Sequence, residues 1–114
     1  MDKRLKLIKD TNPEDECYYF AFSVNSREEV LDIFSNFLDL YFEIRTNPKK
    51  GDLVLFFSDF PIQIKHACII WKTNKNFLNT IVRAQFLGQN GLFEFKINDT
   101  PDVYGRNCSI WRRK

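Results

Sequence analysis

The chain has 114 residues, of which 44% are hydrophobic and 16% aromatic, including twelve Phe. This length allows a single domain over residues 1–114, and the apolar content excludes an intrinsically disordered chain. Seventeen Lys and Arg against fifteen Asp and Glu leave a net charge of +2, which argues against a protein built mainly to hold a nucleic-acid backbone.

The sequence contains no stretch near eighteen continuous apolar residues, and its charged N-terminus lacks an apolar run of signal-peptide length. We therefore expect a cytoplasmic protein without a membrane span, or one exported without a cleavable N-terminal signal. The three Cys form no C-x-x-C pair and there is a single His, so neither a zinc site nor a disulfide framework is predicted. No glycine-rich phosphate loop occurs, so no cofactor is expected.

Two helices are predicted in the first part of the chain. Residues 11–16 combine capping residues, a Pro and three acids, and they predict a short, mostly buried helix starting near Asp15, with a strand as the alternative. Ser26 and Glu29 form a capping box, and apolar residues then recur at three- and four-residue spacing. This pattern predicts an amphipathic helix over 27–41.

From about residue 42 the periodicity becomes that of β-strands. Strands are predicted at 41–45, 53–57, 62–72, 80–87, 91–97 and 107–112, with a hairpin turn at 88–91 and a loop at 98–106. Two helices followed by about five strands predict an α+β domain with both helices on one face of an antiparallel sheet. We expect the strands at 53–57 and 66–71 to be adjacent.

Cys17 and His66 are the candidate catalytic pair. Cys17 lies at a predicted helix N-terminus, where the helix dipole and free N–H groups lower a thiol pKa. His66 opens an apolar strand and is the single imidazole available to take the proton of the thiol. Since free Cys and lone His residues are commonly structural, packing of both in the core is the competing interpretation.

The order of three short motifs carries a resemblance to a known family. Cys17, followed by aromatic residues and Ala21, comes first, a Gly-Asp-Leu-Val motif at 51–54 comes second, and a strand opening with His66 comes third. Over residues 12–112 this order resembles the NlpC-type papain-like cysteine hydrolases, as a small bacterial member. The resemblance implies a papain-like fold and a hydrolase or acyltransferase in which Cys17 attacks an amide carbonyl. The implied substrates are a peptide, a protein or a cell-wall peptide.

The resemblance also implies a polar third residue that orients His66. Glu94 is the candidate for this role, and Gln85 is the alternative. If Glu94 has this role, its carboxylate faces His66 on the side of Cys17, and Phe93 and the other flanking Phe point to the opposite face. The competing interpretation places both Phe residues in the core under the helices and the Glu94 carboxylate in water.

One departure from the family pattern and one alternative nucleophile keep other interpretations open. Glu16 stands where the small relatives have Asn, which changes the surroundings of the oxyanion. Cys108 fits the nucleophile position of permuted relatives similar to lecithin-retinol acyltransferase, but the chain has no room for a helix after it, so Cys17 is preferred. Cys68 is expected to pack in the core. The alternative function is a catalytically inactive binding module, such as an effector, immunity or phage-type interaction protein.

Overall fold

An antiparallel sheet of seven strands is the main element among the residues that the computed structural model describes. These residues are 4–11, 17–59, 61–85, 91–105 and 107–114. The strands are β1 (Lys6–Lys9), β2 (Tyr41–Ile44), β3 (Leu53–Ser58), β4 (Gln63–Lys72), β5 (Ile81–Gln85), β6 (Leu92–Lys96) and β7 (Asn107–Arg113). Their order across the sheet is β1-β6-β5-β4-β3-β7-β2, and all neighbouring strands are antiparallel.

The helices in this part of the chain are all short. The α-helices are α1 (Cys17–Phe22), α2 (Arg27–Ser35) and α3 (Phe37–Leu40). Single turns of 3-10 helix cover Phe77–Asn79, Ile97–Asp99 and Asp102–Tyr104. The last two turns lie at or within the segment that the sequence predicts to be a loop.

The predicted fold, two helices on an antiparallel sheet of about five strands in a papain-like arrangement, is wrong. The sheet has seven strands among the described residues: each of the six predicted strand ranges forms a strand, and β1 adds a seventh in a basic N-terminal segment whose pattern predicts no strand. The helix predicted over 27–41 is divided into α2 and α3. Asn36 causes the division, since its side-chain amide donates to the carbonyl of Asp32 at 2.9 Å and its backbone leaves the helical region.

Other predictions from the sequence are confirmed. The hydroxyl of Ser26 accepts a hydrogen bond from the N–H of Glu29 at 3.2 Å, so the capping box starts α2 as expected. The two apolar strands β3 and β4 are adjacent, with Leu55 opposite Ala67. The predicted helix start near Asp15 and the tip of the hairpin turn lie outside the described residues.

Both faces of the sheet are buried, and each carries its own apolar cluster. The helix face is the face on which Leu53, Leu55 and Ala67 pack against residues of the α-helices. The opposite face carries a second cluster, whose strand residues are Val54, Phe56, Cys68, Ile70, Val82, Ala84, Phe93 and Phe95. Because side chains alternate along a strand, neighbouring residues of β3 and β4 enter different clusters. The face of each candidate site residue therefore decides which groups it can meet.

A β-bulge interrupts the pairing of β3 with β4. Phe56 is paired with His66, but Phe57 is paired with Ile64. Lys65 is therefore an extra residue in β4 that has no partner in β3. Since Phe57 lies on the helix face, the bulge turns Ile64 to the helix face as well.

Candidate functional site

Cys17 is the first residue of α1 and lies on the helix face of the sheet. Only 8% of its surface is exposed, and it belongs to the apolar cluster that contains Leu55 and Ala67. The helix behind it has six residues, so few aligned peptide dipoles stand behind the thiol. The immediate surroundings of Cys17 are those of a core residue.

His66 is buried on β4, with 1% of its surface exposed. Its imidazole stacks on the ring of Tyr104 at a centroid distance of 4.2 Å and an interplanar angle of 20°. The ring of Phe56, its partner in β3, lies 6.4 Å away. Burial lowers the pKa of His66 from 6.5 to about 3, so the imidazole is neutral near pH 7.

Cys17 and His66 pack with different apolar clusters. The contacts of His66 with Phe56 and Tyr104 are on the opposite face, where both rings belong to or pack against the second cluster. Ala67, the next residue of β4, points the other way, into the cluster that contains Cys17. Burial and the nearby thiol of Cys17 both raise the pKa of Tyr104, and Tyr104 is the ring on which His66 stacks. The catalytic pair of Cys17 and His66 therefore stays a prediction.

Glu94 forms an ion pair with Arg83, its partner in β5. Its carboxylate accepts a hydrogen bond from Nε of Arg83 at 3.0 Å, and both side chains are 20% exposed. Arg83 is paired in turn with Ile69, which packs on the helix face. Glu94 therefore points to the helix face, away from His66. Gln85, the alternative candidate, lies two residues after Arg83 in β5 and therefore points to the same face as Arg83.

The two Phe residues beside Glu94 have the parity predicted for a Glu94 on the side of Cys17. Phe93 and Phe95 are buried in the cluster on the opposite face, not under the helices. The competing interpretation, with both Phe residues under the helices and Glu94 in water, is wrong. Because both faces carry a core, β6 buries its Phe residues on one face and its ion pair is partly buried on the other.

The other two cysteines lie on the same face as His66. Cys68 is fully buried in the second cluster, as predicted, and burial raises its pKa well above the ordinary value. Cys108, half-buried on β7, is paired with Phe56 on the side away from His66. Two strand spacings of about 4.8 Å therefore separate the Cys108 and His66 backbones, with Phe56 between them. Burial also raises the pKa of Cys108.

Asp52, the acid of the Gly-Asp-Leu-Val motif, has a structural partner that the sequence did not reveal. It is buried, and its two carboxylate oxygens accept hydrogen bonds of 2.8 Å from Arg112. The N–H of Lys49 donates a third bond at 2.7 Å. Burial alone would raise the pKa of Asp52, but these bonds outweigh it and the pKa is lowered. Arg112 lies at a basic chain end whose pattern indicates only solvated charges.

An apolar groove that no sequence pattern predicted lies on the helix face. Its volume is about 240 Å³, and its walls and floor are formed by Phe37, Leu55, Phe57, Ile62, Ile64, Ser109 and Trp111. Ile62 is 78% exposed, and Ile64 is also exposed. The bulge at Lys65 creates this surface because it turns Ile64 toward Phe57. The alternation of Ile62, Gln63 and Ile64 was the available signal, but alternation alone does not show which face is apolar.

Comparisons with known proteins give the chain no relative. No family model matches it, no curated protein matches it, and no solved structure matches it. Within the described ranges, no three His, Cys, Asp or Glu side chains come together as a possible metal site. None of the helices there is long and apolar enough to cross a membrane.

Proposed function

We propose that the chain is a non-catalytic binding protein that holds an apolar peptide segment of a protein partner in the groove. The observation that carries this proposal is the exposure of large apolar side chains around one concave surface, above all Ile62 and Ile64. Exposed apolar patches of this kind mark interaction sites in folded proteins. The partner class follows from the lining, which is almost entirely aromatic and aliphatic.

The groove is held in a fixed shape, which supports binding rather than collapse. The indole Nε1 of Trp111 donates to the hydroxyl of Ser109 at 2.8 Å, and this bond fixes the ring against one wall. The ring of Phe37 meets Trp111 edge-to-face at 4.9 Å. Side chains that are already ordered lose little rotamer freedom when a ligand arrives.

The cysteine hydrolase remains a prediction. A general base must reach the thiol directly or through one water, and Cys17 and His66 pack with different apolar clusters. The imidazole also has a pKa of about 3, so it is a weak proton acceptor near pH 7. A binding role requires neither group to react.

Peptide selection tests the proposal. We would select a phage-displayed library of random dodecapeptides on the immobilised chain and measure a recovered peptide by fluorescence anisotropy. We expect recovered sequences rich in Leu, Ile, Phe and Trp. Ile62→Glu should weaken binding at least about tenfold, because a carboxylate then faces the apolar peptide. Ile62 precedes β4 and is 78% exposed, so this change leaves the core intact.

Val103→Glu is the matched control, because Val103 is an equally exposed apolar residue that does not line the groove. It should bind the peptide as the wild-type chain does. Failure to select any apolar peptide would contradict the proposal, and so would equal loss of binding in both variants. Equal binding by Ile62→Glu and wild type would also contradict it.

A further inference from the structure

The two edges of the sheet differ in how they are protected. β1, at one edge, carries Lys6 and Lys9 and has an irregular register with β6, and both features discourage pairing with another strand. β2, at the other edge, pairs in regular register with β7 and with no other strand among the described residues. The outer side of β2 therefore presents backbone donors and acceptors to an added strand.

The surface beside this edge carries apolar side chains on the opposite face of the sheet. Phe42 is exposed, and Ile44 is half-buried next to Ile110 of β7. A cavity of about 310 Å³ lies there, and its lining combines Ile44, Phe77 and Ile110 with the polar side chains of Glu43, Arg45 and Ser109. Apolar side chains at an open edge extend the surface that a second strand would cover.

The charges at the edge are self-complementary. Glu43 and Arg45 lie two residues apart, and their ion pair of 3.2 Å joins groups that are exposed, Arg45 by 85%. In an antiparallel pair of two β2 strands centred on Ile44, Glu43 of each copy stands opposite Arg45 of the other. We infer that β2 is a self-association edge, at which two copies of this chain pair antiparallel about Ile44.

Competing registers fit the charges less well. Pairing centred on Glu43 would place two carboxylates directly opposite each other, which is destabilising. Pairing centred on Ile44 makes two opposite-charge contacts and joins the apolar surfaces on the same side of the combined sheet. A two-fold axis at this position repeats every contact once, as a closed dimer requires.

Reversing the charge at Glu43 or Arg45, and then mixing the two variants, tests both the dimer and its register. Sedimentation velocity over a concentration series should show wild type moving from the monomer mass of 13.6 kDa toward twice that mass. Glu43→Arg and Arg45→Glu, each alone, should weaken association at least about tenfold, since each places like charges opposite one another. An equimolar mixture of the two variants should recover the wild-type association. In the mixed pair one strand carries two basic side chains and the other carries two acidic ones, so each charge again faces its opposite.

Recovery in the mixture also shows that both variants are folded. Lys9→Glu is the control for a change of charge at an exposed residue on β1, the other edge of the sheet, and it should associate as wild type does. The inference is overturned if wild type keeps the monomer mass through the series. It is overturned equally if the single variants associate like wild type, or if the mixture stays monomeric.

Discussion

The guanidinium of Arg112 donates hydrogen bonds of 2.8 Å to both carboxylate oxygens of Asp52, although the two residues are sixty positions apart in the sequence. The N–H of Lys49 binds the same carboxylate. The three contacts join the turn before β3 to the last strand of the chain. The acid of the Gly-Asp-Leu-Val motif thus has a role in holding the fold, which requires no catalytic residue nearby.

Asp52→Asn should lower the free energy of unfolding by about 2 kcal/mol, because a charged acceptor of several hydrogen bonds becomes neutral and gains donors that have no acceptor. Urea denaturation followed by circular dichroism measures the change. Asp39→Asn is the control, since Asp39 is an exposed acid on α3. Equal stability of Asp52→Asn and wild type would show that the contacts contribute nothing.

The same carboxylate should make stability depend on acid pH. The pKa of Asp52 is below its ordinary value of 3.8, so the native state holds this proton less tightly than the unfolded state. The contribution is complete above pH 3.8 and is lost as pH falls through the lowered pKa. The difference in unfolding free energy between wild type and Asp52→Asn should therefore shrink below about pH 4. A constant difference down to about pH 2 would contradict this.

His66 should make the fold less stable over a different pH range. Its pKa falls from 6.5 to about 3 on folding, so only the unfolded state binds the proton between these values. The free energy of unfolding should fall by on the order of 1.4 kcal/mol for each pH unit below 6.5. His66→Phe, which keeps a ring beside Tyr104, should remove this slope. The measurement is chemical denaturation from about pH 7 to about pH 4, and an unchanged slope in the variant would assign it to other groups.

Thiol alkylation separates the binding proposal from the hydrolase prediction. With iodoacetamide near pH 7 we expect slow labelling, first at half-buried Cys108 and later at the buried Cys17 and Cys68. Mass spectrometry of the digested chain gives the rate at each site. His66→Phe should leave the rate at Cys17 unchanged. Rapid labelling of Cys17 that disappears in His66→Phe would support a catalytic pair instead.

Glu94→Gln should leave the alkylation rate of Cys17 unaltered, because the carboxylate binds Arg83 and not His66. The loss of stability should be less than about 1 kcal/mol, since both members of the pair retain contact with water. Thermal denaturation and the labelling rate are measured on the same sample. A clear change in the labelling rate would return Glu94 to the surroundings of the thiol.

Part of the fold could be predicted because its signals are local. The capping box at Ser26 and the apolar runs of β3 and β4 depend on neighbouring residues, and all were predicted correctly. β1 was missed because an edge strand with Lys6 and Lys9 resembles a solvated tail. The break at Asn36 was missed because its amide competes with the helix only once the turn before it has formed.

The candidate site could not be predicted, because it depends on which face of the sheet each residue occupies. The order of Cys17 and His66 along the chain is the same whether they share a face or not. α1 packs on one face of the sheet and His66 has the parity of the other, and this tertiary arrangement is not contained in the order of the two residues. The groove depends in a similar way on a bulge, which leaves no mark in the composition of β4.

The bulge at Lys65 places the start of β4 one residue away from an alternative register with β3. Beyond it, two pairs among the described residues, Phe57 with Ile64 and Ser58 with Gln63, hold the present register. A slip that pairs Phe57 with Lys65 would withdraw the exposed Ile residues from the groove and put polar side chains in their place. Deleting Lys65 abolishes this alternative and keeps Ile64 opposite Phe57, so the shortened chain would present the apolar surface permanently.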